Sequence, residues 1–72
     1  MTKAQLNELM KQHCIVPSEL DDVIDFVAEL LYFRRRELEK EEPYATRTID
    51  SLFNAEREVY DLPDYISELK EE

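Results

Sequence analysis

His13 and Cys14 are adjacent, and each is the only residue of its type in this 72-residue chain. A nucleophilic thiol needs a base within hydrogen-bond reach and a third group that orients the base. Neighbouring residues at a helix end rarely offer that geometry, and a structural zinc site needs four cysteine or histidine ligands. We therefore interpret His13 as a capping or exposed residue and Cys14 as a buried small hydrophobe. No catalytic residue, metal site or cofactor is expected.

Three carboxylates recur every four residues along the predicted second helix, at Asp21, Asp25 and Glu29. Paired carboxylates act as acid and base only where burial raises one of their pKa values. These three lie opposite the apolar residues of the helix, in solvent. We interpret the row as a solvated face, and a docking surface for a basic partner is the alternative.

The chain contains no glycine, which removes the turns that bring a backbone close to a phosphate. A P-loop, a Rossmann turn and an EF-hand are therefore excluded. A single cysteine allows no internal disulfide and is typical of a reducing compartment. The sequence has neither an apolar run of membrane-spanning length nor a signal-peptide pattern, so we expect a cytoplasmic protein.

Capping residues and prolines predict four helices. Thr2 and Gln5 form a capping box at the start of the first helix. Ser18 is the predicted N-cap of a long second helix, and Val16, which precedes a proline, is predicted to be extended. Pro43 suits the first position of the third helix, and the third proline of the chain, at position 63, predicts the break before the fourth helix. The predicted helices span about 2–13, 19–41, 43–60 and 63–70.

The second and third helices are joined by two or three residues, so they must lie antiparallel. The expected fold is all-α, a small bundle formed by an antiparallel helical hairpin with two short terminal helices, in a single domain over 1–72. Apolar residues of the second helix cover an arc of about 180°, wider than a surface helix needs. Because the chain has no disulfide and two short helices cover such an arc poorly, we expect a homodimer through the second and third helices.

Two charged residues interrupt the apolar stripes of the hairpin. Arg34 lies between Leu30 and Leu38 on the helical wheel, and Glu56 lies centrally on the stripe of the third helix. Side chains lean toward the N-terminus of their own helix, so the two charged ends converge in an antiparallel pair. We predict a partly buried Arg34–Glu56 pair, with Asp50 as the competing partner.

The net charge of −9 is unevenly distributed, with −2 over residues 1–40 and −7 over residues 41–72. Phosphate repels such a chain, so direct nucleic-acid binding is not expected. Three consecutive arginines, at 34–36, point in three directions from a helix and pair with nearby glutamates, so they do not form a basic patch.

These features predict a small acidic helical module that binds another protein, as a regulator, inhibitor or adaptor, and not an enzyme. The alternative is a self-assembling structural protein, or one that mimics DNA and sequesters a basic nucleic-acid-binding protein. No membrane or small-molecule substrate is expected, since so small a core scarcely surrounds a ligand pocket. The candidate residues facing a partner, possibly a basic one, are Tyr32, Tyr44, Tyr65, Asp50, Glu58, Asp61, Asp64 and Glu68.

Overall fold

A computed structural model describes residues 1–71 of the chain. It contains three α-helices, α1 (Lys3–Gln12), α2 (Leu20–Glu41) and α3 (Thr46–Ser67), with a short 3-10 turn at Pro17–Glu19 before α2. The predicted all-α helical hairpin is therefore confirmed. Within the described part of the chain, no helix is both long and apolar enough to cross a membrane.

The capping box at the start of α1 is confirmed. The Thr2 hydroxyl accepts a hydrogen bond from the Gln5 backbone N–H at 3.2 Å, and the Gln5 side-chain oxygen accepts one from the Thr2 N–H at 2.8 Å. Two N–H groups that the first helical turn leaves without a partner are thereby satisfied.

The end of α1 is a Schellman motif with a cysteine where glycine is usual. The Ile15 N–H donates to the Met10 carbonyl at 2.9 Å, and the Cys14 N–H donates to the Lys11 carbonyl at 3.1 Å. This arrangement requires a left-handed residue, and Cys14 has φ of 56°. Because a β-carbon crowds this conformation, the cap carries steric strain that a glycine would not have.

The start of α2 differs from the prediction at Ser18. Val16 is extended, with φ −82° and ψ 140°, as its position before Pro17 predicts. The Glu19 N–H then donates to the Val16 carbonyl at 2.8 Å, which closes a tight turn through Ser18. Ser18 is not an N-cap, because Pro17 starts a 3-10 turn and places the serine inside it, whereas an N-cap residue is extended.

The connection between α2 and α3 is a turn, and Pro43 does not begin α3. The Ala45 N–H donates to the Glu42 carbonyl at 2.9 Å, so Pro43 and Tyr44 occupy the two central positions of a β-turn. Proline is favoured at the first of these positions because its ring fixes φ near the value that the turn needs. The third helix consequently begins at Thr46, three residues later than predicted.

The predicted break at Pro63 is wrong: α3 continues through the proline to Ser67, and there is no separate fourth helix over 63–70. Proline cannot donate to the Val59 carbonyl, and local propensity therefore favours a break there. Residues beyond the proline are held by tertiary contacts instead, since Ile66 and Leu69 are half-buried and the Lys70 carbonyl accepts a hydrogen bond from Lys3.

The interface between α2 and α3 follows a heptad pattern, with steps of four and three residues along each helix. We call these positions the inner seam. On α2 they include the buried residues Ile24, Ala28 and Leu38. This spacing keeps one side of each helix against the other in an antiparallel pair. The full inner seam comprises Ile24, Ala28, Leu31, Arg35 and Leu38 on α2, Ala45 at the N-cap of α3, and Ile49, Leu52, Glu56 and Val59 on α3.

The N-terminus of the chain is tied to its C-terminal end at the open end of the hairpin. The Lys3 N–H donates to the Lys70 carbonyl at 2.7 Å, and the Lys3 ammonium lies 2.9 Å from a Glu71 carboxylate oxygen. Met10 supplies the buried residue of α1. These contacts hold α1 and the end of α3 together without a strand ladder among the described residues.

Candidate functional site

An ion pair crosses the inner seam between Arg35 and Glu56. The Arg35 Nε donates to Glu56 Oε2 at 2.5 Å, and Nη2 donates to Oε1 at 3.3 Å. The two side chains are 15% and 7% exposed, respectively. A two-point bond of this kind fixes the relative orientation of the two groups as well as their distance.

The arginine in this pair is the neighbour of the predicted Arg34. Arg34 is largely exposed, and its guanidinium lies 3.9 Å from Glu37 on the same helix. The prediction treated the whole apolar arc of α2 as one stripe and placed Arg34 within it, between Leu30 and Leu38. In the structure α3 covers only one side of that arc, and Arg35 is the arginine on the covered side.

Arg35 also organises the aromatic residues around it. Its guanidinium carbon lies 5.4 Å from the ring centroid of Tyr32 and 5.4 Å from that of Phe53, within cation–π range. A third ion-pair contact, from Nη1 to Glu39 at 3.0 Å, completes its environment. One side chain thus connects α2 to α3 and fixes an aromatic ring from each helix beside it.

The hydrogen bonds that Arg35 donates to Glu56 raise the pKa of Arg35 above its ordinary value, and the charges of Glu56 and Glu39 add to this effect. A pKa raised by folding means that the contribution of the group to stability is fully present below the pKa of unfolded arginine. That contribution is lost only in strongly alkaline solution, as the pH rises through the folded pKa. Arg35 therefore stays charged throughout the physiological range.

An exposed aromatic surface lies beside this ion pair. Tyr32, Phe53 and Tyr60 are 41%, 48% and 66% exposed, and we call these three residues the aromatic face. Phe53 and Tyr60 are seven residues apart, so they lie on the same side of α3. The Arg35 contacts bring Tyr32 to that side from the neighbouring helix.

Acidic residues border the aromatic face toward the turn. Glu39, which bonds to Arg35, lines a shallow depression with Asp50, Pro43, Thr46 and Ile49. Glu39 both lines this depression and bonds to Arg35, so the acidic border is continuous with the arginine that lies between the aromatic rings. The surface therefore combines apolar rings with negative charge at one end.

A second apolar surface lies on the outer side of α2. Phe26, Leu30 and Phe33 are 61%, 53% and 61% exposed, and Val27 beside them is 39% exposed. We call these four residues the outer stripe. At about 100° per residue, Leu30 and Tyr32 project about 160° apart around the helix. The centres of the outer stripe and the aromatic face therefore project to different sides of α2, but the two surfaces meet where the Tyr32 and Phe33 rings contact edge to face, with centroids 5.6 Å apart.

The other residues that were predicted to face a partner do not form one continuous surface with the aromatic face. Tyr44 is highly exposed at the turn. Tyr65 lines a separate depression on α3 with Glu58, Asp61 and Leu62. Asp64 lies in the last turn of α3 and Glu68 is its C-cap residue, and the Asp64 carbonyl accepts hydrogen bonds from the Ser67 hydroxyl and the Glu68 N–H.

Phe53, Tyr60 and Arg35 were not predicted from the sequence as site residues. A signal was present: the heptad spacing of the inner seam passes through Arg35 and skips Phe26 and Phe33. The apolar arc of α2 is wider than its interface with α3, so the arc forms two surfaces, and each surface has its own centre.

The residues considered for chemistry lie apart from both apolar surfaces. Cys14 is exposed, which corrects the expectation of a buried thiol, because its left-handed conformation lies at the surface end of α1. Asp21, Asp25 and Glu29 are all exposed. Over residues 1–71, no group of three or more histidine, cysteine, aspartate or glutamate side chains is arranged to hold a metal ion.

Comparison with known proteins finds no match: no protein-family model matches the sequence, and neither a curated protein nor a solved structure does so.

Proposed function

We propose that this chain is a small acidic, non-enzymatic protein-binding module that acts by occupying a surface of a partner protein with its aromatic face. The observation that carries the proposal is the Arg35 arrangement, which holds Tyr32 and Phe53 in place while leaving both rings exposed. The expected partner surface is an apolar groove with lysine or arginine residues at its edge.

The aromatic face has the chemistry of an interface centre. Tyrosine and phenylalanine are enriched at protein interfaces because each offers a large apolar area. Ordering mobile side chains costs about 0.5–1.5 kcal/mol for each one immobilised on binding. Rings already held by Arg35 lose less freedom, so more of the contact energy contributes to affinity.

The charge distribution supports a partner with basic residues. Residues 41–72 carry a net charge of −7, and Glu39 with Asp50 brings negative charge to the edge of the aromatic face. Complementary charges at the edge of an interface increase the association rate and disfavour acidic partners. The apolar centre supplies the affinity, and the acidic border supplies the selectivity.

The proposal is tested by replacing Tyr60 with a photo-crosslinking phenylalanine analogue in the full chain and identifying the protein that is captured in cells. The captured protein is then purified, and its affinity is measured for the wild-type chain and for Tyr60→Ser. We expect a loss of about tenfold or more, as for the central residues of an interface. Tyr44→Ser is the matched control, because Tyr44 is an exposed tyrosine outside the aromatic face, and it should bind as wild type does.

Salt dependence separates this function from the DNA-mimic alternative. An apolar interface with charges at its edge should lose little affinity between low and moderate salt. A steep loss of affinity with salt, together with competition by duplex DNA, would instead identify a mimic. Equal affinity for wild type and Tyr60→Ser would remove the aromatic face from the binding surface.

A further inference from the structure

We propose that the outer stripe is a homodimer interface, on which a second copy of the chain packs its own outer stripe antiparallel, about a two-fold axis near Leu30. The centre of this interface, Leu30, projects about 160° away from Tyr32 around α2, although the Phe33 ring at its edge contacts the Tyr32 ring at 5.6 Å. Substitutions at Leu30 and at Tyr60 therefore test the dimer and the proposed function separately.

The total surface of the molecule is large for its mass. The chain exposes 5911 Å² and extends over 46 × 20 × 16 Å. A compact monomer of 8.6 kDa is expected to expose about 4,700 Å². The excess of about 1,200 Å² per chain is larger than the roughly 600 Å² that each partner buries in a small stable dimer.

The outer stripe has the area that such a dimer needs. From the usual size of aromatic side chains, Phe26 and Phe33 together expose roughly 240 Å². With Leu30 and Val27 the patch reaches about 400 Å², the size at which an apolar patch on a monomer is commonly functional. Two such patches at about 65% apolar content correspond to roughly 1,200 Å² of total interface, at the lower limit for stable complexes.

The spacing of the outer stripe is that of a second helix-packing seam. Val23, Phe26, Leu30 and Phe33 follow steps of three, four and three residues, which is the pattern that places side chains against another helix. α2 therefore carries two heptad seams, the inner seam that faces α3 and a second one in which Phe26, Leu30 and Phe33 are exposed and Val23 is half-buried. Leu30 is central in this second seam, close to the midpoint between Phe26 and Phe33.

The charges of α2 select the antiparallel arrangement. Residues 20–30 contain four acidic residues and no basic ones, whereas residues 31–41 contain four basic and three acidic residues. Parallel packing would place the two acidic halves side by side. Antiparallel packing places the acidic half of each copy beside the basic half of the other.

One pair of residues gives this arrangement a specific contact. Asp22 and Lys40 are 18 residues apart, which is five complete helical turns, so both lie on the same edge of the outer stripe. A two-fold axis brings the same edge of both copies together. The midpoint of these residues is 31, about 1.5 Å along the helix from Leu30, so Asp22 of each copy lies near Lys40 of the other.

The dimer is tested by sedimentation equilibrium of the full chain from 1 to 200 μM. We expect a mass of about twice 8.6 kDa at the high end and dissociation in the micromolar range, as is usual for interfaces of this size. Leu30→Glu should shift dissociation at least 100-fold while circular dichroism shows unchanged helicity. Tyr60→Glu is the matched control on the aromatic face and should leave the dimer intact.

The orientation is tested by single cysteines in a Cys14→Ser background. Leu30→Cys lies at the proposed axis and should form a disulfide-linked dimer on mild oxidation, whereas Val23→Cys should not. Linkage through both positions would indicate parallel packing and overturn the proposed arrangement. A mass near 8.6 kDa for the wild-type chain at every concentration would overturn the dimer itself.

Discussion

Glu56 of α3 forms a two-point ion pair with Arg35 of α2 in the inner seam, where every other position is apolar. A buried pair of this kind adds little net stability, because removing both charges from water offsets their attraction. Its effect is on register, since sliding α3 along α2 would leave a buried carboxylate without a partner. The same arginine orders Tyr32 and Phe53, so the register of the hairpin and the geometry of the aromatic face depend on one side chain.

Removing the carboxylate alone should destabilise the hairpin. We expect Glu56→Ala to lower the free energy of unfolding by about 3 kcal/mol, because Arg35 is left largely buried without its main partner. Replacing both residues by leucine extends the apolar seam, so the double variant should recover most of the loss. Urea unfolding followed by circular dichroism measures both values.

Arg34→Ala is the control for this experiment. Arg34 is largely exposed and lies 3.9 Å from Glu37, so its replacement should change the free energy of unfolding by less than about 0.5 kcal/mol. If Arg34→Ala were as damaging as Glu56→Ala, the seam assignment would be incorrect.

Glycine at position 14 should stabilise the protein. Cys14 has φ of 56°, a conformation that costs a residue with a β-carbon about 1 kcal/mol relative to glycine. Greater freedom of glycine in the unfolded chain offsets part of the gain. We expect Cys14→Gly to raise the free energy of unfolding by roughly 0.5 kcal/mol, measured by urea titration under reducing conditions.

Cys14→Val provides the contrast, because a β-branched residue is strongly disfavoured at positive φ. It should lower the free energy of unfolding by more than the glycine raises it. Equal stability of the two variants would mean that the left-handed cap of α1 contributes nothing.

Replacing the proline inside α3 should strengthen that helix. Pro63→Ala restores an N–H that can donate to the Val59 carbonyl and removes the ring clash, which together favour alanine by up to about 3 kcal/mol in a helix interior. The proline also restricts the unfolded chain, so we expect a net gain of about 1–2 kcal/mol.

Amide hydrogen exchange shows which residues gain stability in Pro63→Ala. Slower exchange should be confined to amides near residues 60–67 in Pro63→Ala, with little change in α1. Unchanged exchange there would show that the helix already closes around the proline without loss.

Part of the local structure is predictable from the residue types alone. Hydroxyl and amide side chains specify the cap at Thr2 and Gln5, and apolar periodicity with a short connection specifies an antiparallel hairpin. Such features depend on atoms within a few residues of one another, so neighbouring residue types are sufficient to predict them. The excess width of the apolar arc on α2 was also visible in the sequence.

Only the tertiary structure decided which side of that arc is covered. Arg34 and Arg35 are adjacent, both lie close to apolar residues, and the position of α3 alone makes Arg35 the partner of Glu56. The same packing leaves Phe26 and Phe33 exposed and carries α3 through Pro63, against local propensity. These outcomes depend on contacts between residues distant in sequence, whose combined energy exceeds the local preference of any single residue.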